Sequence, residues 1–378
     1  MQGLWILLLP LALAAQQTDI ESLQKSARES YSKGDYAAAR QSLEQAWELM
    51  QQSDAKDPKR YDLLKQLSGV LSAGGEYAAA QNYVELAINW RETVISRDDP
   101  KLADEWIELA TLCQRQKDFP RAIALLQRAQ YAHIRDSGAE SLPVADDLSR
   151  MALVYVDDHK AALAAEPLER AIQIRETVLG PEHPAILGEL DRLGSILINI
   201  RDYPQAEMTY RRAVVIRERL VGPNDASLIQ CVEGLAYALF GQKKYAEAEP
   251  FYKRLLALWV TSTGDPTHPM VAVTLDKVAV FYRAQDRWRE GTTAADQANA
   301  LRGLFLSSGL SQEAAIREDH GDKKEAVRLY RQALSVLDPM RSEHTALRQE
   351  IEKDLRELGV EVKPVQAKPR IAPPKKQP

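Results

Sequence analysis

The chain reads as an all-α protein, a right-handed α-solenoid of stacked antiparallel helical hairpins, about eight of them. Three observations predict this. A 42-residue echo runs through the middle: Arg170-Ala171-Ile172-Gln173-Ile174-Arg175-Glu176 returns as Arg212-Ala213-Val214-Val215-Ile216-Arg217-Glu218. The turn behind it returns as well, Leu179-Gly180-Pro181 as Val221-Gly222-Pro223. Alanines also recur at fixed places in the same register. A constant period of this size marks supersecondary units that cannot bury their apolar faces alone and therefore stack.

Each unit is anchored by an aromatic residue, with Ala three and ten positions further on. Tyr36/Ala39/Ala46, Tyr77/Ala80/Ala87 and Phe119/Ala122/Ala129 open the series. Ala161/Ala171 holds the register without its aromatic, and Tyr203/Ala213 and Tyr245/Ala248 follow. Trp288/Ala298 comes after a one-residue slip, and a last copy, Gly321 to Ala326 with Ala333, after a shorter step of 35. Positions three and ten lie two turns apart on one helix face. With only methyl groups there, a partner helix approaches at the close end of the usual 8–10 Å spacing. The partner stripe lies upstream: Leu190, Leu193, Gly194 and Leu197 in one copy, Leu235, Ala236 and Leu239 in the next. Each unit is thus a hairpin bent at Gly34-Asp35-Tyr36, Arg201-Asp202-Tyr203 or Lys243-Lys244-Tyr245. The last unit is expected to have a short, polar first helix, Ser311 to Asp319, serving as a solvent cap.

These residues resemble the tetratricopeptide repeat, over residues 20 to 357. The longer step resembles the kinesin light chain type, through residues 176–184 (Glu-Thr-Val-Leu-Gly-Pro-Glu-His-Pro) and 264–269 (Gly-Asp-Pro-Thr-His-Pro). The tyrosine-led segments Tyr245 to Glu249 and Tyr203 to Glu207 are similar too. The resemblance implies an array that binds proteins or peptides; it does not imply transport of motor cargo. The family's Asn pair on the first helix, which contacts ligand backbone, is replaced here by Asp191-Arg192, Glu233-Gly234 and Asp276-Lys277. That mode of contact is not implied at these positions.

Three segments are expected: an export signal over 1–15, the solenoid over 16–359 and a tail over 360–378. Leu4 to Ala15 is an unbroken apolar run with the small-x-small cleavage pattern Ala12-Leu13-Ala14. It is too short to span a bilayer as a helix. Cleavage after Ala14 or Ala15 would deliver the chain to the periplasm or the extracellular space. The tail, rich in Pro and Lys, sets Lys363, Lys368, Arg370, Lys375 and Lys376 against Glu361 and lacks apolar periodicity. Its basic charge suits an anionic surface or the acidic body of the same chain. Cys113 and Cys231 fall on first helices almost three repeats apart, so buried thiols rather than a disulfide are expected.

No catalytic residues, cofactor or metal site are predicted. The six histidines are scattered, with no HExxH and no Cys/His cluster. His183 and His268, each before a Pro, read as capping residues. Nucleophile elbows, phosphate loops and dinucleotide fingerprints are missing. Net acidity, −5 overall, disfavours nucleic acid. What remains is a groove lined by the first helices. Asp62, Asp104, Asp146, Asp191, Glu233 and Asp276 form an acidic ladder there, interspersed with Arg150, Arg192 and Lys277. Tyr31, Tyr237, Phe240 and Arg283 add larger contacts, Tyr237 and Phe240 being judged free of packing duty. The ladder predicts a basic peptide or protein partner whose binding weakens with salt. The alternative is that the ladder's acids and bases pair across adjacent helices. Self-assembly as an envelope or structural component, or service as an enzyme's recognition arm, are the rival functions.

Overall fold

A computed structural model describes residues 19–362 apart from residue 340. The expected export signal and residues 363–378 of the expected tail lie outside the described residues. All regular structure within them is helical. The chain forms two units, one ending at Ile200 and the other beginning at Arg201. The first holds α1 (19–32), α2 (Tyr36–Met50), α3 (Pro58–Ala73), α4 (Tyr77–Val94), α5 (Leu102–Arg115), α6 (Phe119–Ser137), α7 (Leu142–Asp157), α8 (Ala161–Leu179) and α9 (Leu187–Asn199). The second holds α10 (Tyr203–Val221), α11 (Leu228–Gly241), α12 (Tyr245–Thr263), α13 (Pro269–Arg283), α14 (Trp288–Asp319), α15 (Lys323–Val336) and α16 (Thr345–Glu357). Within each unit, helices adjacent in sequence pack on one another in order. The fold class is the expected all-α solenoid.

The small-residue register is the seam of that packing. Ala39, Ala46, Ala80, Ala87, Ala122, Ala129, Ala171, Ala213, Ala248, Ala298, Ala326 and Ala333 are all 0% exposed. Between each pair of methyls, seven residues after the anchor, stands one large residue: Leu43, Val84, Leu126, Leu168, Tyr210, Tyr252 or Tyr330, all buried. Each such side chain contributes about 1.5–3 kcal/mol of burial. The alanines provide the approach and the large residue provides the fill.

The bends explain why the period holds. Every first helix of a hairpin ends on a left-handed residue: Gly34 and Gly75, then Lys117, His159, Arg201, Lys243 and Asp286 at φ 57–64. The next N–H closes back on the helix, Asp35 to the Ser30 carbonyl, Asp118 to Cys113 and Lys244 to Leu239. Asp35, Asp118 and Asp202 then cap the second helix by accepting from the N–H three residues on. Between repeats the chain turns at Gly138, Gly180, Gly222 and Gly264, all at positive φ. A side-chain acceptor two residues before an amide then starts the next first helix. Asp57 accepts from Lys59, Asp99 from Lys101, His183 from Ala185, Asp225 from Ser227 and His268 from Met270, at 2.9–3.2 Å. His183 and His268 are the capping residues expected.

The C-terminal end departs from expectation. Ser311 to Asp319 is not a separate helix; it is the last part of α14, which runs 32 residues without a break. Each earlier crossing between repeats carries a proline near the new helix, such as Pro58, Pro143, Pro184 and Pro269. Residues 299–322 contain none, so nothing stops the helix. Covering of the last hairpin falls instead to α16, which buries Ile351 and Leu355 against Ala314, Leu329, Tyr330 and Ala333. Val360 and Val362 pack on the same cluster, so ordered packing passes the expected boundary at 359. His344, 2% exposed, ties this end together: its Nε2 meets the Ala300 carbonyl at 3.0 Å and its Nδ1 accepts from the Asp338 N–H at 2.8 Å.

Candidate recognition surface

One position of the first helices repeats the 42-residue step and stays outside the packing. It is Gly69, Thr111, Leu153 and Ser195 in the first unit, and Tyr237 and, after the slip, Val280 in the second. Leu153, Tyr237 and Val280 are 41%, 45% and 56% exposed. Val156 and Val273 add exposed apolar surface on the same helices, α7 and α13. At Gly69 an added Cβ would meet nothing within 4 Å. Beside it, a slot of about 250 Å³ is lined by Ala27, Tyr31, Leu43 and Val70. An adjoining cleft of about 550 Å³ between α1 and α3 includes Asp57, Asp62, Lys25 and Arg28 among its walls. Two groove residues expected from sequence, Tyr31 and Asp62, thus line open space.

The acidic ladder is largely spent within the protein. Glu233 pairs with Lys277 of the next first helix, so two expected ligand contacts hold each other. Asp146 is held by Arg175 at 2.5 Å and Asp276 by Arg302. Asp191 is buried, and Arg192 turns toward Glu189 at 3.6 Å. Asp104 and Arg150 are exposed, with no ion pair among the described residues. The stem of Arg283 lies over Gly291, where a Cβ would strike it. Gly234 has its own cause: the Tyr210 ring occupies the space a Cβ would need, and Tyr203 does the same over Gly241.

Phe240 does have a packing duty. Its ring lies 6.0 Å from Tyr245 and 6.1 Å from Phe281, and Phe281 in turn is 4.9 Å from Tyr252. Tyr237 meets Phe240 and Tyr203 edge-on at 6.3 and 6.4 Å and keeps its outer face open. The same unit carries two strongly held carboxylates. Burial opposes ionisation of Glu207, but bonds from Lys244, Arg211 and Gln242 outweigh it and lower its pKa to about 2. Glu249 is held at about 2 by Lys253 and Arg287, with help from the Tyr282 hydroxyl.

A set of pairs not foreseen from sequence lies one residue from Asp104 and Asp146 and two from Asp191 of the expected ladder. Glu105, Asp147 and Glu189 recur at 42 residues and are buried, and so do their bases Arg91, His133 and Arg175. Arg91 bonds Asp99 at 2.8 Å and lies 3.6 Å from Glu105; His133 Nδ1 is 2.6 Å from Asp147; Arg175 is 3.4 Å from Glu189. Adjacent helix residues point about 100° apart, so Asp104 faces water while Glu105 faces in. The signal was present as a second 42-residue series of bases, fourteen residues ahead of the acids.

Among the described residues no three His, Cys, Asp or Glu side chains could hold a metal ion. Nor is any described helix long and apolar enough to cross a membrane. Cys113 and Cys231 are buried thiols. Models of the tetratricopeptide repeat match residues 103–177, 190–227 and 228–298. No curated protein matches the chain in sequence. Among solved structures it is similar to BtubC (BKLC) from P. vanneervenii, at 19% identity over 66% of this chain and 93% of that one, TM-score 0.48. It is also similar to a tetratricopeptide repeat protein from Parabacteroides merdae, at 16% identity over 88% and 99%, TM-score 0.42. A third is the C-terminal part of a repeat-containing protein from Cytophaga hutchinsonii, at 14% identity over 85% and 98%, TM-score 0.48. The chain is a tetratricopeptide repeat protein.

Proposed function

We propose that the protein is a recognition scaffold without catalysis, holding a peptide or protein segment on the exposed face of its first helices. The observation that carries this reading is the register shared by Leu153, Tyr237 and Val280, large apolar side chains left in water at one repeated position. Tyr237 sets one face against Tyr203 and Phe240, and all three side chains keep surface in water. Within either unit, a partner segment would gain affinity by covering the exposed side chains of that unit. Charge contributes less than the sequence suggested, because Asp146, Glu233 and Asp276 are already paired. A preference for basic partners would rest on Asp62 and Asp104. The test is affinity capture with the chain lacking residues 1–15, beside a variant carrying Leu153→Ser, Tyr237→Ser and Val280→Ser. The same proteins retained by both, in equal amount, would end the proposal.

Export rests on the apolar run Leu4 to Ala15. N-terminal sequencing of the mature protein should begin at Ala15 or Gln16. Self-association is a second reading, favoured by Phe305, Leu306 and Ile316, which α14 leaves largely exposed. Light scattering that stays monomeric at high concentration rules it out.

A further inference from the structure

A cleft of about 350 Å³ opens in the second unit between α12, α13 and α14. Its origin is legible in the sequence. Six residues into the second helices stand Ser42, Tyr83, Leu125, Pro167, Thr209 and Phe251; the same place in α14 is Ala294, the smallest of the series and well below Phe251 of the preceding hairpin. The missing bulk leaves the walls formed by Tyr252, Leu256, Leu275, Val278, Phe281 and Tyr282 facing a void. Its size falls within the range of small-molecule sites.

The rim decides the charge of an occupant. Glu249 is bonded by Lys253 and Arg287 at 2.8 and 2.7 Å and by the Tyr282 hydroxyl at 3.1 Å. Glu290 is bonded by the same Arg287 at 3.0 Å. Both acids and their bases are therefore satisfied. Arg289, also at the rim, is exposed and has no ion pair among the described residues. An apolar, aromatic-walled cavity with one uncompensated guanidinium at its mouth fits one class of ligand. We propose that this cleft binds a small amphipathic carboxylate, its apolar body against Phe281, Tyr282 and Leu275 and its carboxylate on Arg289. The site is separate from the first-helix register proposed for partner recognition, and neither depends on the other.

Calorimetric titration of the full chain with phenylbutyrate, and with its neutral analogue phenylbutanol, tests the assignment. Phenylbutyrate should bind saturably with one site and at least tenfold more tightly than the alcohol. Arg289→Gln should reduce the acid's affinity to that of the alcohol, leaving the alcohol unchanged. Ala294→Phe, which restores the bulk found at Phe251, should abolish both. Because that change is made at a buried position, Thr293→Trp at the exposed rim provides a second block that leaves the core alone. Absence of saturable binding to the parent overturns the proposal. So does undiminished binding to Thr293→Trp, or equal affinity for acid and alcohol.

Discussion

At the scale of single residues, the repeat is enforced by backbone geometry as much as by packing. Lys117, His159, Arg201, Lys243 and Asp286 occupy a left-handed conformation that costs an L-residue about 1–2 kcal/mol. Gly34 and Gly75 occupy the equivalent place without that cost. Lys243→Gly should therefore raise stability by about 1 kcal/mol in urea unfolding, a rare case of glycine stabilising a fold. The pair His133–Asp147 makes a second prediction. Burial raises the Asp147 pKa, with the His133 bond and Arg150 opposing and Asp146 assisting. A carboxyl raised in the folded state stabilises it while protonated, below the ordinary 3.8. That contribution is lost as pH climbs past this value toward the folded one. In the neighbouring repeats the equivalent bases are the arginines Arg91 and Arg175. In thermal melts from pH 4 to pH 8, His133→Arg should flatten the decline of the parent; parallel curves would refute the assignment.

At the scale of elements, glycine reads oppositely in two helices. Gly69 of α3 meets open space, whereas Gly234 of α11 is covered by the Tyr210 ring. Gly69→Ala should stabilise by up to about 1 kcal/mol through helix propensity. Gly234→Ala should destabilise by about 1–3 kcal/mol through overpacking. Thermal melting of the two variants should thus shift in opposite directions. The hairpin seam was plain in the sequence because methyl groups at positions three and ten leave no other use for that face. Asp104 and Glu105 were not separable in that way, since a linear reading sets the register only to within a residue and 100° divides core from water. The joined helix α14 escaped for a different reason: the polar stretch Ser311 to Asp319 read as a first helix of its own, but with no proline before it the backbone simply continued.

At the scale of the whole molecule, ion pairs that bridge successive helices couple the stability of the second unit to pH. Glu207 and Glu249 have folded pKa values of about 2, below the ordinary 4.5. Depressed carboxylates stabilise above their unfolded value and lose that contribution as pH falls toward the folded one. Circular dichroism of the full chain should show loss of stability between about pH 5 and pH 2, and Glu207→Gln should lessen it. Recognition, in contrast, should respond weakly to salt, because the exposed register is apolar. The face proposed for recognition was only half legible: Tyr237 was named from sequence, while Leu153 and Val280 emerged once exposure was known. The claim that this face binds a partner is tested most directly by photo-crosslinking in cells. A photoreactive residue at Tyr237 should capture a partner protein, while the same residue at Tyr131, exposed on the second helix α6, should not. Capture from Tyr131 in place of Tyr237 would contradict the account.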